Sequence, residues 1–388
     1  MSMRLAFLTV GPCPYYHDFC ELLGRTTDLT VIYERRFLGN RDESWAGVET
    51  AGYQAVWLNG MLVGDEMAFC PGILWYLRNN RFDLVILHDY LSPTGMLASL
   101  YMRAYHIPFA IHADGGVKKE REKVCIRLLK NFFASKACAY FSSGRVTDEY
   151  FTYYGADVHK IYRYPFTSVH ADEILTEPLS GQEKRKLREE LGLGKQIRDG
   201  RLVLYVGSII HRKGVDLLLR CAKRVGERAE FLIVGGEATT KMKQWIRRHG
   251  ITNVTFRGFE PPEQIRRYMR CADLFVFPTR YDIWGLVINE AMAAGLPVVT
   301  TDRCVAGMEL VEDGKNGRVV HANDVDALTE GVLKMLHPGQ QEQAEIGRNN
   351  LGKIRTYSLE HMAQVYESQL RELVKNFKGN DKAWITTK

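Results

Sequence analysis

No run of apolar residues in this chain is long enough to span a bilayer, and no two of its cysteines form a C-x-x-C pair. The eight cysteines, at positions 13, 20, 70, 125, 138, 221, 271 and 304, are scattered, several of them inside apolar runs. That usage argues against a disulfide framework and a structural zinc, and for free thiols in a reducing compartment. Charge of one sign is also scarce. A net +6 over 388 residues suits an anionic ligand or surface but lacks the concentrated basic signature of a nucleic-acid binder. The initial apolar stretch, Met3 to Val10, is too short for a leader peptide and reads as a first core strand, so a cytoplasmic protein is expected. The G-K-[ST] of a Walker A loop is absent too. What remains is 46% hydrophobic and 25% charged, enough to fill two domains of ordinary size.

The chain is organised around Leu274 to Thr301, LFVFPTRYDIWGLVINEAMAAGLPVVTT. A run buried on both faces (Leu274 to Phe277), a polar loop (Thr279 to Trp284), a helix (Gly285 to Ala294) and a second apolar run (Pro297 to Thr301) make a strand–helix–strand unit. The loop falls at the carboxyl end of a parallel strand, where open α/β sheets bind ligands. Asp282 lies in it, and Glu290 follows inside the helix after seven intervening residues. The backbone N–H groups of Gly285 and Leu286 open the helix and suit a diphosphate. A solvated Asp and a Glu on a polar helix face are the plain alternative.

A second anion signal precedes this unit. Leu202 to Val206 is a strand, and Gly207 to Gly214 (GSIIHRKG) leads from it into a helix beginning at Val215. Arg212 and Lys213 thus sit at a strand–helix junction, one a planar fork and the other a point charge. Further strands at Phe231 to Val234 and Val254 to Phe256 complete a second α/β half, the latter followed by Gly258 and Phe259. Asp324-Val325-Asp326 spells D-x-D, but its place before Ala327 and Leu328 predicts a helix cap and no metal site.

The first half alternates strands (Leu5 to Val10, Leu29 to Tyr33, Ala55 to Leu58, Leu84 to Leu87, Phe109 to Ile111, Ala139 to Phe141) with helical segments, the mark of a doubly wound parallel sheet. Histidines cluster at its strand ends: His17 after the first strand, His88 after the fourth, and His112 with Asp114, Gly115 and Gly116 after the fifth. Singly, each suits a hydrogen-bonded core residue; together, on one sheet edge, they suggest a site.

These motifs resemble retaining glycosyltransferases of family 4. In that family two Glu separated by seven residues flank a Gly-Leu helix start, and a Gly…Arg-Lys-Gly segment holds the diphosphate. The resemblance covers most of the chain and is strongest from Val206 to Val320. It implies a GT-B fold, two Rossmann-like domains facing across a cleft. The expected parts are an acceptor domain (1–165), a connection (166–199), a nucleotide-sugar domain (200–355) and a C-terminal helix returning to the first domain with a frayed tail (356–388). It implies donor binding by Arg212, Lys213, Gly285, Leu286 and Glu290, with Glu290 on the ribose and Gly258 and Phe259 beside the base. Asp282, one methylene shorter than the family's Glu, and His112 would contact the donor sugar as the catalytic pair. His17, His88 and Asp114 are acceptor-side candidates. The Asp-Gly-Gly after His112 and Tyr164 to Ser168 (YPFTS) are similar to bacterial exopolysaccharide and capsule transferases. The implied reaction is sugar transfer from a nucleotide-sugar, such as a UDP-sugar, to a saccharide or lipid-linked acceptor, with retention and without a metal or other cofactor. A nucleotide-sugar 2-epimerase and a non-catalytic nucleotide-sugar-binding component stay as alternatives.

Val117 to Lys136 carries seven basic and two acidic residues among six large apolar ones. Composition favours a core-packed helix with a solvated basic face; the other reading is a surface helix docking on anionic lipid at the inner face of the plasma membrane. Periodicity does not separate the two.

Overall fold

The computed structural model describes residues 2–36, 50–64, 67–118, 122–195, 197 and 200–379. The chain divides into two compact units, one of Met1–Thr167 with Leu359–Lys388 and the other of Ser168–Ser358. The expected tail beyond 379 and residues 119–121 of the basic stretch lie outside the described residues.

In the first unit the order is β1 (Arg4–Thr9), α1 (Pro14–Gly24), β2 (Asp28–Tyr33), β3 (Gln54–Trp57), the hairpin β4 (Met61–Val63) and β5 (Met67–Phe69), α2 (Gly72–Asn79), β6 (Leu84–Leu87), α3 (Pro93–Ala104), β7 (Phe109–Ala113), α4 (Val124–Ala134), β8 (Ala139–Ser142), α5 (Arg145–Tyr153) and β9 (Ile161–Arg163). Its parallel sheet runs β3-β2-β1-β6-β7-β8-β9, so the order reverses between β1 and β6. All four residues of β6 and of β8 are buried, as strands covered on both faces require. The C-terminal helix Leu359–Gly379 belongs to this unit and drives Tyr366 into its core, where the ring stacks on Phe141 at 4.1 Å.

The second unit contains α6 (Gly181–Glu190), β10 (Leu202–Val206), α7 (Val215–Val225), β11 (Glu230–Val234), α8 (Thr240–Arg248), β12 (Val254–Arg257), α9 (Pro262–Cys271), β13 (Leu274–Phe277), α10 (Leu286–Ala293), β14 (Val298–Thr301), α11 (Val305–Leu310), β15 (Gly317–Val320), α12 (Val325–Leu336) and α13 (Gln340–Ile354). Its sheet order is β12-β11-β10-β13-β14-β15, reversing between β10 and β13. The stretch 166–199, expected as a connection, belongs to this unit from Ser168 onward. Arg188 on α6 is buried and donates to Asp273 (2.7 Å), Gly200 O (2.8 Å) and Cys271 O (2.9 Å). Asp324 caps α12 by accepting from Ala327 N at 2.9 Å, as its position before an apolar helix predicts.

The expectation of a core-packed helix at 117–136 fails. Of α4 only Phe133 and Ala134 are buried, while Val124 and Leu128 are each 61% exposed and Phe132 49%. The helix is moored at its base, where Lys130 meets Glu122 (2.6 Å) and the Tyr154 hydroxyl donates to Glu122 (2.7 Å).

Candidate active site

The reversal point of the second sheet brings together the loops after β10 and β13, the place where doubly wound sheets hold ligands. After β10 the chain makes a single helical turn, His211–Lys213, and closes it at Gly214 with φ +75°. Glycine is needed there twice over, because a Cβ would also lie 2.0 Å from Pro278 O. That close approach lets the loops bond directly. Arg280 N donates to Arg212 O (2.8 Å), the Thr279 hydroxyl donates to the same oxygen (3.0 Å), and the Arg280 guanidinium grips both Asp216 oxygens at 2.7 Å.

Two cations are thereby aimed at one carboxylate. The Lys213 ammonium bonds Asp282 Oδ2 and sits 4.9 Å from the Phe277 ring centre. The Arg212 guanidinium is 3.8 Å from the same oxygen and donates to Tyr281 O at 2.9 Å. Asp282 is 6% exposed, held in place by its N–H on Arg303 O (2.8 Å). Immediately beyond, Gly285 has φ +102°, and a Cβ on it would meet Cys304 Sγ at 2.7 Å. It opens α10, which has no side-chain cap, so the first N–H groups of that helix keep their affinity for an anion. Arg212, Lys213, Asp282, Gly285 and Leu286 thus gather on one sheet edge.

Glu290, one turn into α10, faces other partners. Its carboxylate lies 3.5 Å from the Ser168 hydroxyl, beside Glu173 and Arg266, which pair at 2.9 Å. Burial, with the Glu173 charge adding to it, lifts the Glu290 carboxyl to about 7. At the end of β12, Phe259 is 84% exposed, and Gly258 O accepts from Gly235 N at 3.0 Å.

In the first unit the loops after β1, β6 and β7 converge on Asp114. His112 Nε2 lies 2.8 Å from Asp114 Oδ1, and His88 Nε2 3.0 Å from Oδ2. The Tyr15 hydroxyl donates to Oδ2 at 3.1 Å. Asp89 takes the far side of His88 (3.1 Å) and accepts from Val10 N (3.2 Å), tying β1 to β6. Burial works against a charged His88, but Asp114 and Asp89 outweigh it and hold its pKa well above the ordinary value. Burial likewise works against an ionised Asp114, yet the two imidazoles hold it well below the carboxylate range. His112, by contrast, is pushed down by burial despite Asp114.

His112 is fully buried, its Nδ1 2.9 Å from the Tyr366 hydroxyl and its Nε2 shared between Asp114 and the Tyr164 hydroxyl at 3.0 Å. The ring is therefore not offered to a substrate. Both ring nitrogens of His112 are thus engaged inside the unit, on Tyr366, Tyr164 and Asp114. His17 stands apart, bonded to the Tyr53 hydroxyl at 3.0 Å. Tyr15, Asp89, Tyr366 and Arg280 escaped the sequence reading as site residues. Tyr366 gave no local signal, since it comes from a helix 254 residues beyond its partner. Among the described residues, His88, His112 and Asp114 have ligand atoms within 4.8 Å of one another, the spacing of a metal site. Their nitrogens and oxygens are spent on one another, and a cation would have to displace those bonds.

Comparison with known proteins now decides the family. The model of "Glycosyl transferases group 1" matches residues 186–351, the stretch that holds both cations and both carboxylates. The D-inositol 3-phosphate glycosyltransferase 2 of Catenulispora acidiphila is 34% identical over 317 residues, 74% of this chain and 71% of that protein. The chain belongs to the group 1 glycosyl transferases. The fold of this glycosyltransferase agrees. Alr3699/HepE of Anabaena, crystallised with UDP, matches with a TM-score of 0.75 at 18% identity, over 95% of this chain and 100% of that one. WaaG, a glycosyltransferase involved in lipopolysaccharide biosynthesis, gives 0.67 at 18% identity, over 94% and 99%. The architecture is GT-B, with two Rossmann-like units, and the protein is an enzyme of the hexosyltransferase class.

Proposed function

We propose that this glycosyltransferase moves a sugar from a UDP-sugar to a saccharide or lipid-linked acceptor with retention of configuration, without a metal, in bacterial surface-polysaccharide assembly at the cytoplasmic face of the membrane. The observation that carries the reading is the Arg212–Lys213–Asp282 cluster beside the uncapped start of α10. A diphosphate brings more negative charge than one carboxylate, so it takes Lys213 from Asp282 and is shared with the N–H groups of Gly285 and Leu286. Asp282, released, accepts from sugar hydroxyls and favours positive charge at the anomeric carbon. Glu290 holds the ribose, and Gly258 and Phe259 flank the base. Developing charge on the leaving diphosphate is met by the two cations, the role a metal fills elsewhere. In the first unit, His88 and Asp114 serve the acceptor, with His17 at the margin of that site and His112 positioning Asp114. UDP in the Anabaena protein and the lipopolysaccharide role of WaaG support the donor and the product class.

The test incubates the enzyme with a panel of UDP- and GDP-sugars in EDTA, following nucleotide release and the anomeric configuration of the product by NMR. Expected are UDP release and a retained linkage. Dependence on added metal, an inverted product, or epimerised donor without acceptor would each sink the corresponding part.

The exposed apolar residues of α4, with Lys118, Lys123 and Arg127 around them, support the lipid-docking reading of 117–136. Among the described residues no helix is long and apolar enough to cross a membrane. The protein should float with anionic vesicles and be released as salt shortens the Debye length to a few ångströms, toward 3 Å at about 1 M. Leu128→Ser with Leu129→Ser should abolish flotation without unfolding, and flotation that survives it would place the contact elsewhere.

A further inference from the structure

A cavity of about 550 Å³ opens in the first unit at the amino-terminal ends of β6, β7 and β8, the sheet edge opposite to His88, His112 and Asp114. Its size is that of a small-molecule site, which runs roughly 300–1,000 Å³. The walls are Phe82, Met102, Ile107, Phe109, Val374 and Phe377. Polar groups along them are already satisfied: Asp83 accepts from Arg4 N (2.9 Å), and the Cys138 N–H and thiol both donate to Phe109 O at 2.9 Å. An occupant therefore has to bring apolar surface to the interior.

Of the charged groups in the lining, Asp83 is the anion, already held on Arg4 N, and two are cations. Arg103 and Lys136 both border the cavity, with His106 beside them. The Arg103 guanidinium is stacked 4.4 Å over Phe132 of α4 and donates to Phe132 O at 3.1 Å, which fixes it beside the exposed apolar face of that helix. Lys136 is exposed. The turn that leads from α3 into β7 borders the cavity. His106 closes α3 in the left-handed region at φ +55°, where glycine is the common residue, and Ile107 N reaches back to Met102 O at 2.8 Å. This common way of ending a helix places Ile107 in the cavity wall.

We propose that this cavity binds the acyl chain of a monomeric anionic lipid, its head group held by Arg103 and Lys136. The site is separate from the donor and acceptor sites, so its test does not read sugar transfer. An apolar interior selects for chain length, and the cations select for the anionic head.

The test titrates the full-length protein with sodium octanoate, decanoate and dodecanoate below their micelle thresholds, by calorimetry. Saturable binding with one site is expected, tightening on the order of tenfold for each two methylenes added. Lys136→Glu, at an exposed position, should weaken dodecanoate binding about tenfold or more while thermal melting stays unchanged. Ile107→Trp should fill the cavity and abolish binding; if it fails to fold, Lys136→Glu carries the test alone. The proposal is overturned by absence of saturable binding, by affinity that ignores chain length, or by an unresponsive Lys136→Glu. Loss of binding in Leu128→Ser with Leu129→Ser would assign the contact to the face of α4 instead of the cavity and overturn it. So would binding that emerges only when residues 380–388 are removed, since the chain's own end would then be the occupant.

Discussion

Both units place charged side chains where their sheet order reverses, but the two clusters are built on opposite plans. In the first unit Asp114 is buried and its oxygens are filled by His88, His112 and Tyr15, while Asp89 and Tyr366 satisfy the outer nitrogens. Every strong charge there has a partner within the unit, so the cluster braces the strand-end loops on which the proposed acceptor residues His88 and Asp114 stand. In the second unit one carboxylate is shared by two cations, and Arg212 keeps a side chain 45% exposed. Under the proposed function that pairing is a latch, which a better anion opens. Asp282 is as buried as Asp114, 6% against 9% exposed, so the difference lies in the exposed Arg212 and in how completely each lone pair is used.

The largest expected effect breaks the brace. Asp114→Ala takes the buried partner from His88, whose side chain is 20% exposed, and leaves it only Asp89, 40% exposed, so the loss should approach but not exceed the roughly 3–5 kcal/mol of a broken buried pair. Hydrogen exchange of amides in β6 and β7 under urea should report that loss. Asp282→Asn, in the latch, should cost less, about 1–3 kcal/mol of stability, because the amide keeps an acceptor for Lys213 and Arg212, 45% exposed, can turn to water. Equal destabilisation of the two variants would erase the distinction drawn between the sites.

Next come the ligand effects at the latch. Lys213→Ala should weaken nucleoside-diphosphate binding by about 1.5–3 kcal/mol and leave the bare nucleoside nearly unaffected. Asp282→Asn should do the reverse for free nucleotide, holding or raising its affinity, because the diphosphate no longer competes with a carboxylate for Lys213. Transfer by the same variant should still slow about 10–100-fold, equivalent to roughly 1.4–2.7 kcal/mol. Should nucleotide affinity fall in step with the rate, Asp282 belongs to the diphosphate site and not to the sugar.

The smallest effect is a pH dependence. With its carboxyl at about 7, against 4.5 for an ordinary Glu, Glu290 keeps a proton in the folded protein that the unfolded chain has lost. The folded state binds the extra proton between those values, so this group's contribution to stability declines as pH rises from about 4.5 to 7. Ribose hydroxyls donate to the ionised form. Nucleoside affinity should therefore increase a few-fold from pH 6 to 8 with a proton released on binding, and Glu290→Gln should flatten the profile. Calorimetry in buffers of different ionisation enthalpy reads that proton, and a flat parental profile would remove Glu290 from the ribose.

The elements of the proposed donor site were legible because their signals are local. Gly214 and Gly285 are needed for backbone reasons, Arg212 and Lys213 sit next to one of them, and Asp282 and Glu290 lie within one strand–helix unit. The partner of Lys213 was less accessible, since the pair spans 69 residues and depends on β10 and β13 being neighbours. The first half gave its histidines by position after strands but not their use. That His112 is sealed follows from Tyr164 and Tyr366, and no sequence window contains all three.

The sequence by itself determined the alternation of strand and helix, the parallel sheets it implies, and the strand-end loops that hold the chemistry, because each depends on apolar periodicity and turn residues over a few positions. Tertiary structure alone decided what the helix faces meet. Helices α4 and α7 are each eleven residues long and mix apolar with basic side chains. Yet α7 buries Val215, Leu217, Leu218, Leu219, Cys221, Ala222 and Val225, while α4 buries only Phe133 and Ala134. Periodicity records that a helix has an apolar side; whether a sheet, a lipid surface or nothing covers that side is set by residues far away in the chain.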